Sequence, residues 1–254
     1  MSQRYEKQPA GEIVVQNKFV KWLDNFWYHY KWQTIFVAFF LFVGIVCFAQ
    51  CSTSQNASDM RIAYAGGFQP SAQQQQNIED VLEAISPDRN TPGAGSLVAM
   101  NTFAIFTEEE MDILSFDEEA GQVHTPTKNQ LRSISSNNLK EFDTYSKTGD
   151  SAVWFVSEYV YTNQKYATSN VKPLMSLAEL YPDGNLPVGA YDEYAIRLSN
   201  TELYQYYDAL KVFPEDTLVV MPRQLVLGSS SDDATYAYFT EMFRAIVEFK
   251  APVA

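Results

Sequence analysis

A proline- and glycine-rich loop, SPDRNTPGAGS, carries the residue types that bind a hard cation. Asp88 and Asn90 stand at the first and third positions of a calcium-loop pattern, and Gly93 stands at the sixth. The fifth position, however, is Pro92, and the twelfth, where such loops need a bidentate glutamate, is Ala99. An ion held by so few side-chain oxygens would bind poorly. We therefore predict a turn here and no metal site.

Residues with the spacing of a catalytic centre are missing from the sequence. His124, in QVHTPT, is the only histidine after the apolar block near the N-terminus, and the serines of GDSAV and LGSSSD do not fit a nucleophile elbow. The glycine motifs that bind dinucleotides or phosphates are also absent. The acid pairs Asp192/Glu193 and Asp232/Asp233 are typical of the surface and helix caps of an acidic chain. The prediction is a protein that is not an enzyme and has no cofactor.

Charge and cysteine content restrict the partners. Residues 1–51 contain five of the 18 Lys and Arg residues and three of the 31 Asp and Glu residues, so the remainder has 13 basic and 28 acidic residues, a net charge of −15. A domain this acidic repels nucleic acid and anionic lipid. The two cysteines, Cys47 and Cys51, leave the rest of the chain without disulfides or thiolate ligands. An exported domain without disulfides favours a bacterial origin.

An apolar block, Ile35 to Ala49, contains fifteen uncharged residues, and Gln33, Thr34, Gln50 and Cys51 extend the uncharged run. A spanning helix needs roughly 17 to 25 residues, so we predict a transmembrane helix at 33–51. More than thirty residues precede it, which is unlike a cleaved signal peptide, and neither cysteine has a lipoprotein context. The basic excess before the block predicts a single-pass cell-membrane protein with a cytoplasmic N-terminus and an extracytoplasmic C-terminal domain.

The segment before the block, KFVKWLDNFWYHYKW, repeats aromatic residues at helical spacing. Aromatic side chains prefer the headgroup region of a bilayer, so this segment predicts an interfacial helix. A partner helix is the alternative occupant of the same stripe. The predicted membrane-interface residues are Trp22, Phe26, Trp27, Tyr28, Tyr30 and Trp32.

Beyond a polar linker at 52–59, strands and helices alternate. Strands are predicted in MRIAYAGG, SLVAMNTFAIF, SAVWFVS, YAIRLS and DTLVVMP. Ser71 and Thr107 have the spacing of helix caps, and Ser231 is predicted to cap the last helix. The unbroken apolar run SAVWFVS indicates a strand covered on both faces. The acidic segment TEEEMDILSFDEE is predicted to be a solvated surface.

The order of these elements, with KTGDSAVWFVSEYVY followed by VKPLMSLAEL, resembles the first lobe of type 2 extracellular or periplasmic solute-binding proteins. The resemblance covers about Met60 to Leu180. The whole layout, including NFWYHYKW and YDEYAIRL, is also similar to uncharacterised single-span membrane proteins of Gram-positive bacteria. These resemblances imply an α/β fold. An N-terminal interfacial plus transmembrane helix is followed by one three-layer domain at 60–254 with a mostly parallel sheet. Only 74 residues follow Leu180, too few for a second lobe.

Two functional hypotheses follow. The first is a solute-binding-related domain in which strand tips and a return segment line a shallow cleft at the carboxyl edge of the sheet. Its predicted ligand-binding residues are Gly66, Gly67, Asn101, Thr102, Ser157, Glu158, Tyr159, Tyr191, Asp192 and Tyr194. The second is a structural or interaction subunit of an envelope or membrane complex, with no small-molecule ligand. The sequence does not identify a ligand or a protein partner, and it predicts that the protein does not bind nucleic acid.

Overall fold

The structure is a computed structural model, and it describes residues 18–53, 58–87, 96–165, 173–187, 189–226 and 228–252. The chain divides into two compact units, Met1–Asn56 and Ala57–Ala254. Residues 88–95 of the loop SPDRNTPGAGS, which has the degenerate calcium pattern, lie outside the described residues. Of the predicted linker, residues 52 and 53 end a helix, and 54–57 are not described.

The described part of the first unit is one helix, α1, at Lys18–Thr53. The predicted interfacial helix and the predicted span are therefore continuous. Within it, the rings of Trp22, Phe26 and Tyr30 stack in series, with centroid separations of 5.6 and 5.3 Å. This spacing follows from the helical repeat, which places residues four apart above one another.

The predicted transmembrane helix at 33–51 is wrong. Nowhere in the described residues does a helix have an apolar stretch that would reach across a bilayer. The apolar block of fifteen residues rises only about 22 Å as a helix, whereas the hydrocarbon core of a bilayer is about 30 Å thick. The polar residues Gln33, Thr34 and Gln50 do not lengthen it. The predicted single-pass topology and the cell-membrane localisation are wrong for the same reason.

The second unit is built on a mixed five-stranded sheet. Its strands are β1 Met60–Gly66, β2 Val98–Ala104, β5 Val153–Val156, β6 Ala195–Arg197 and β7 Leu218–Val220, and a separate two-residue hairpin pairs β3 Phe116–Asp117 with β4 Gln122–Val123. The strand order is β2-β1-β5-β7-β6. Strand β1 pairs in parallel with β2 and β5, and β7 pairs antiparallel with β5 and β6. Four of the five strands therefore run the same way, which confirms the predicted α/β fold with a mostly parallel sheet.

Helices cover both faces of this sheet. They are α2 Ala72–Ile85, α3 Glu108–Leu114, α4 Thr125–Tyr145, α5 Glu158–Lys165, α6 Leu177–Leu180, α7 Glu202–Tyr206 and α8 Asp233–Val247. Ser71 and Thr107 cap α2 and α3 as predicted, and both form capping boxes. The cap of α8 is Asp232, one residue after the predicted Ser231, because its carboxylate accepts a hydrogen bond from the Thr235 backbone N–H at 2.8 Å.

Alternate residues of the central strand β5 enter two separate cores. Phe155 packs with Tyr64 and with residues of α2, α7 and α8, whereas Trp154 packs with Phe142 of α4 and Val160 of α5. Side chains of a strand point to opposite faces in turn, so an unbroken apolar strand needs cover on both sides. The three-layer arrangement and the doubly buried SAVWFVS strand are as predicted.

The free edge of β2 is covered by side chains of α2. The Met100 N–H donates to the Glu79 carboxylate at 2.8 Å, and the Val98 N–H donates to Glu83 at 3.0 Å. The Met100 carbonyl accepts from the Gln75 amide at 2.9 Å. Because these backbone groups already have partners, this part of the edge does not offer an open template for another strand.

Candidate functional site

The carboxyl edge of the parallel strands brings together four of the predicted ligand-binding residues. Gly66 ends β1, Gly67 follows it, and Ser157 and Glu158 follow β5. A Cβ at Gly66 would lie 2.6 Å from the Tyr64 hydroxyl and 3.2 Å from the Ser157 Cβ. At Gly67 it would lie 2.2 Å from the Glu110 carboxylate. The glycines therefore permit close packing at this edge.

Two of the predicted residues are not at a strand tip. Asn101 and Thr102 lie inside β2, opposite Ala63 and Tyr64 of β1. The Asn101 amide donates to the hydroxyl of Tyr145 at 2.9 Å. The prediction that they lie at a strand tip is therefore not met, because the strand continues past both residues to Ala104.

Glu158 joins Tyr191 and Arg197 in a polar cluster at the same edge. The Tyr191 hydroxyl donates to Glu158 at 2.5 Å, and the Arg197 guanidinium donates to it at 3.3 Å and lies 4.8 Å from the Tyr191 ring centroid. The hydrogen bond from Tyr191 is the main reason that the pKa of Glu158 is lowered, and the same bond raises the pKa of Tyr191. Arg197 was not predicted, although it lies in the YAIRLS strand.

The sheet register explains this meeting of distant residues. Val156 at the end of β5 is opposite Leu218 of β7, and Leu218 is opposite Arg197 of β6. Strands β5 and β6 therefore end at the same level of the sheet, with β7 between them. The residues after β5 and at the end of β6 must then lie at one edge of the sheet.

Asp192 and Tyr194 serve the fold of the return segment. The Asp192 carboxylate accepts from the hydroxyl of Tyr161 at 2.5 and 2.6 Å and from the backbone N–H groups of Tyr194 and Ala195 at 2.9 and 3.2 Å. Tyr161 and Tyr194 are both buried, and burial raises the pKa of Tyr161 far above its ordinary value. These groups hold the turn before β6 against α5. Tyr159, in the first turn of α5, is exposed.

A second cluster, which sequence analysis did not predict, joins α3 to α4. The carboxylate of Glu108 accepts from Arg132 at 2.7 and 3.0 Å and is 3.2 Å from Lys128, which also pairs with Asp112. The hydrogen bonds from Arg132 and then from Lys128 lower the pKa of Glu108 from its ordinary value of 4.5 to about 2. The spacing between the acids and these bases gave no signal, because the two helices are separated by the β3–β4 hairpin.

Replacing Arg132 with glutamine is expected to raise the pKa of Glu108 from about 2 towards 4.5, because the principal donor to its carboxylate is lost. A carboxyl with a depressed folded pKa contributes stability above its unfolded pKa, and this contribution is lost as the pH falls from about 4.5 to about 2. Carboxyl-detected NMR titration measures the shift. Lys147→Gln, which removes an exposed pair with Asp143, is the control. An unchanged Glu108 titration in the Arg132 variant would contradict the assignment.

The segment after these acids exposes three large apolar side chains. Met111 and Ser115 face the interior, whereas Ile113, Leu114 and Phe116 are 70%, 56% and 52% exposed. We call Ile113, Leu114 and Phe116 the α3 apolar patch. Sequence analysis treated the whole segment as a solvated acidic surface. The apolar residues of the run ILSF, residues 113–116, could have indicated the patch.

The residues predicted for a membrane interface lie on α1. Trp22, Trp27, Tyr28, Tyr30 and Trp32 are exposed and Phe26 is partly buried. Their role at a bilayer surface stays a prediction.

His124 precedes α4, where its ring Nδ1 lies 2.6 Å from the Thr127 hydroxyl.

Within the described ranges, no group of three or more His, Cys, Asp or Glu side chains is arranged to hold a metal ion. No protein-family model, no curated protein and no solved structure shows significant similarity to this chain.

Proposed function

We propose that the Ala57–Ala254 unit is a non-catalytic protein-interaction domain that binds its partner through the α3 apolar patch. The exposure of Ile113, Leu114 and Phe116 within four consecutive positions carries the proposal. Elsewhere in the described part of this unit, large exposed apolar residues are isolated along the chain. Isolated exposed apolar residues are common on protein surfaces, but adjacent ones mark a binding surface.

The patch is held on a rigid support. Met111 packs against Ala104 and Phe106 in a small core, and the ion pairs of Glu108 with Lys128 and Arg132 link α3 to α4. Phe116 belongs to the short β3–β4 hairpin, where it is paired with Val123. A surface that is already ordered loses little conformational entropy on binding, and this favours affinity.

Charge near the patch indicates the chemistry of the partner. Glu109, Glu118 and Glu119 flank the patch in sequence and are exposed, and none of them has an ion pair among the described residues. The whole chain has a net charge of −13. Complementary charge steers association and suppresses wrong partners. The partner that fits is a protein segment with an apolar face bordered by Lys and Arg residues.

A helical peptide of leucine and lysine, with one apolar face and one basic face, is expected to bind the full chain. Changing both Ile113 and Phe116 to serine should weaken this binding at least about tenfold, or about 1.4 kcal/mol, because the two apolar contacts are lost. Raising the salt concentration should weaken binding to the wild type through screening of the flanking charges. Fluorescence anisotropy of a labelled peptide measures the affinity.

The matched control is Tyr206→Ser, which removes an exposed aromatic ring on α7 far along the chain from the patch. It should leave the affinity unchanged. Equal binding by the wild type and the Ile113/Phe116 double variant, or no binding by the wild type, would contradict the proposal. Light scattering adds a further test: a concentration-dependent dimer that the double variant loses would identify a second copy of the chain as the occupant instead.

The alternative of a solute-binding-related domain stays a prediction. Its likeness to one lobe of a type 2 binding protein depends on the order of elements alone. A ligand at the predicted cleft would have to compete for Glu158 with Tyr191 and Arg197, and for Asp192 with Tyr161. Because these polar groups already satisfy one another, the apolar patch supports interaction with a protein better than the cleft supports a small ligand.

A further inference from the structure

A narrow cavity lies where the central strand β5 begins and β7 ends. Its lining includes Trp154, Tyr145, Ser151, Arg223 and Tyr236. It has room for roughly one water-sized sphere. None of the predicted ligand-binding residues lines it, and it is separate from the α3 apolar patch.

Trp154 contributes an unsatisfied donor. The residue is 1% exposed, and its indole Nε1 has no hydrogen-bond partner among the described residues. The Phe142 ring packs edge-on against the indole, with centroids 5.3 Å apart and an interplanar angle of 70°. An indole N–H can only donate. Buried polar atoms in folded proteins nearly always have a partner, so this one calls for an acceptor.

Arg223 contributes a second buried donor that lacks an acceptor. Its two terminal nitrogens donate to the carboxylate of Glu179 at 3.0 and 2.8 Å. Its Nε is buried and has no partner among the described residues. The Arg223 backbone N–H donates to the Pro173 carbonyl at 2.8 Å, which fixes the start of the side chain. The Glu179 pair fixes its end, so the Nε cannot turn elsewhere without breaking that pair.

The hydroxyl groups around the cavity have other partners. Ser146 donates to the Asp143 carbonyl at 2.8 Å, and Tyr236 donates to the Pro222 carbonyl at 3.1 Å. Ser151 donates to the carbonyls of Arg61 and Val153 at 3.3 and 3.2 Å. The side-chain groups that remain unmet at the cavity are therefore donors. The matching ligand is one that accepts a hydrogen bond from each of the two unpartnered donors, Trp154 Nε1 and Arg223 Nε.

We propose that this cavity is a binding site for a small monatomic anion such as chloride, which accepts hydrogen bonds from Trp154 Nε1 and Arg223 Nε. A water molecule also accepts hydrogen bonds, but an anion adds a charge-assisted hydrogen bond to the guanidinium, and such bonds are stronger than neutral ones. The Glu179 carboxylate offsets part of the Arg223 charge, which limits the affinity and makes occupancy depend on the anion concentration. A tetrahedral oxyanion is too large for the space.

Two loops contribute to the wall of the cavity. The Gly149 carbonyl accepts from the Ser230 backbone N–H at 3.0 Å, and Gly228 lies against the Thr148 carbonyl so closely that an added Cβ would be 1.7 Å from its oxygen. The cavity-lining residues Ser146, Gly149 and Ser230 belong to these loops. The contact between these loops therefore forms part of the cavity wall.

The test uses the full chain with ¹⁵N-labelled tryptophan, which gives four indole resonances, one for each tryptophan. Trp154→Phe identifies the resonance of Trp154 by its loss. Chloride and then bromide replace gluconate at constant ionic strength, and the Trp154 indole proton should shift with a saturating curve while the other three do not. Sulfate at the same ionic strength should leave it in place. Bromide-soaked crystals of the full chain should show an anomalous peak between Trp154 and Arg223.

Arg223→Lys keeps the positive charge but removes the Nε donor, and it should weaken the halide response at least tenfold. A thermal melt gives an independent measurement: halide should raise the melting temperature of the wild type and leave that of Arg223→Lys and Trp154→Phe unchanged. A Trp154 resonance that does not respond to halide, or that responds equally in Arg223→Lys, would overturn the proposal and leave a water molecule as the occupant.

Discussion

Replacing Gly228 with alanine is expected to lower the free energy of unfolding by more than about 3 kcal/mol. Gly228 has φ 93° and ψ −173°, a backbone region that is almost exclusive to glycine. An alanine Cβ there would also lie 1.7 Å from the Thr148 carbonyl oxygen and 2.8 Å from its carbon. These neighbours are backbone atoms, so the clash cannot be relieved by a side-chain rotation. Chemical denaturation measures the loss.

Gly184→Ala is the matched control for this substitution. Gly184 also has a positive φ, 76°, but an added Cβ would meet no atom within 4 Å. The expected cost is therefore only the backbone term, about 1 to 2 kcal/mol. The difference between the two variants isolates the steric contribution of the Thr148 contact. Equal losses at both positions would show that the loops at 148 and 228 separate freely in solution.

This stability prediction is linked to the proposed anion site through the two loops. If Gly228→Ala separates the loops without unfolding the domain, the wall formed by Gly149 and Ser230 opens. The Trp154 indole would then meet water, and its halide response would weaken together with the stability. Gly184→Ala, which leaves that wall unchanged, should preserve the response.

Much of the fold was predictable because its strands and helices carry strong local signals. MRIAYAGG, SLVAMNTFAIF and SAVWFVS contain β1, β2 and β5, and the caps Ser71 and Thr107 begin α2 and α3. The apolar block of α1 shows the limit of such signals. Its composition resembles a membrane span, but composition is only meaningful together with length, and fifteen residues fall short of the bilayer core.

The parts that were not predicted depend on tertiary pairing. The three apolar residues of β7 do not indicate whether the strand runs parallel or antiparallel to its neighbours. The sequence also did not indicate that β7 would lie between β5 and β6, antiparallel to both. The β3–β4 hairpin has only two residues in each strand, too few to show a period. Both features follow from packing, which overrides weak local preference.

The proximity of Glu158 and Tyr191 was predictable, but the contacts that they make were not. Sequence analysis placed Glu158 and Tyr191 near one another, and the structure brings them within a hydrogen bond. The contribution of Arg197 depends on the register through β7, which no local pattern encodes. The same limit applies to the α3 apolar patch. Whether ILSF faces in or out depends on which side of α3 packs against Ala104 and Phe106.

Replacing Asp192 with alanine is expected to lower the free energy of unfolding by about 3 kcal/mol. The carboxylate accepts hydrogen bonds from the Tyr161 hydroxyl and from two backbone N–H groups, those of Tyr194 and Ala195. Tyr161 is 2% exposed, so its hydroxyl would lose its acceptor without gaining access to water. An unsatisfied buried donor costs about 1 to 3 kcal/mol, and a hydrogen bond to a charged group contributes about 1.5 to 3 kcal/mol.

A double-mutant cycle separates the contributions at this site. Tyr161→Phe removes the hydroxyl, and once it is gone the additional cost of Asp192→Ala should fall by roughly 1 to 2 kcal/mol, because the hydrogen bond between the two side chains is already lost. Asp183→Ala, in an exposed turn, is the control and should stay within about 0.5 kcal/mol of the wild type. Additive losses would show that the two side chains do not interact. If the Asp192 variant is as stable as the wild type, this carboxylate has no structural role. Asp192 would then again be a candidate ligand-binding residue at the carboxyl edge of the sheet, as the solute-binding alternative predicts.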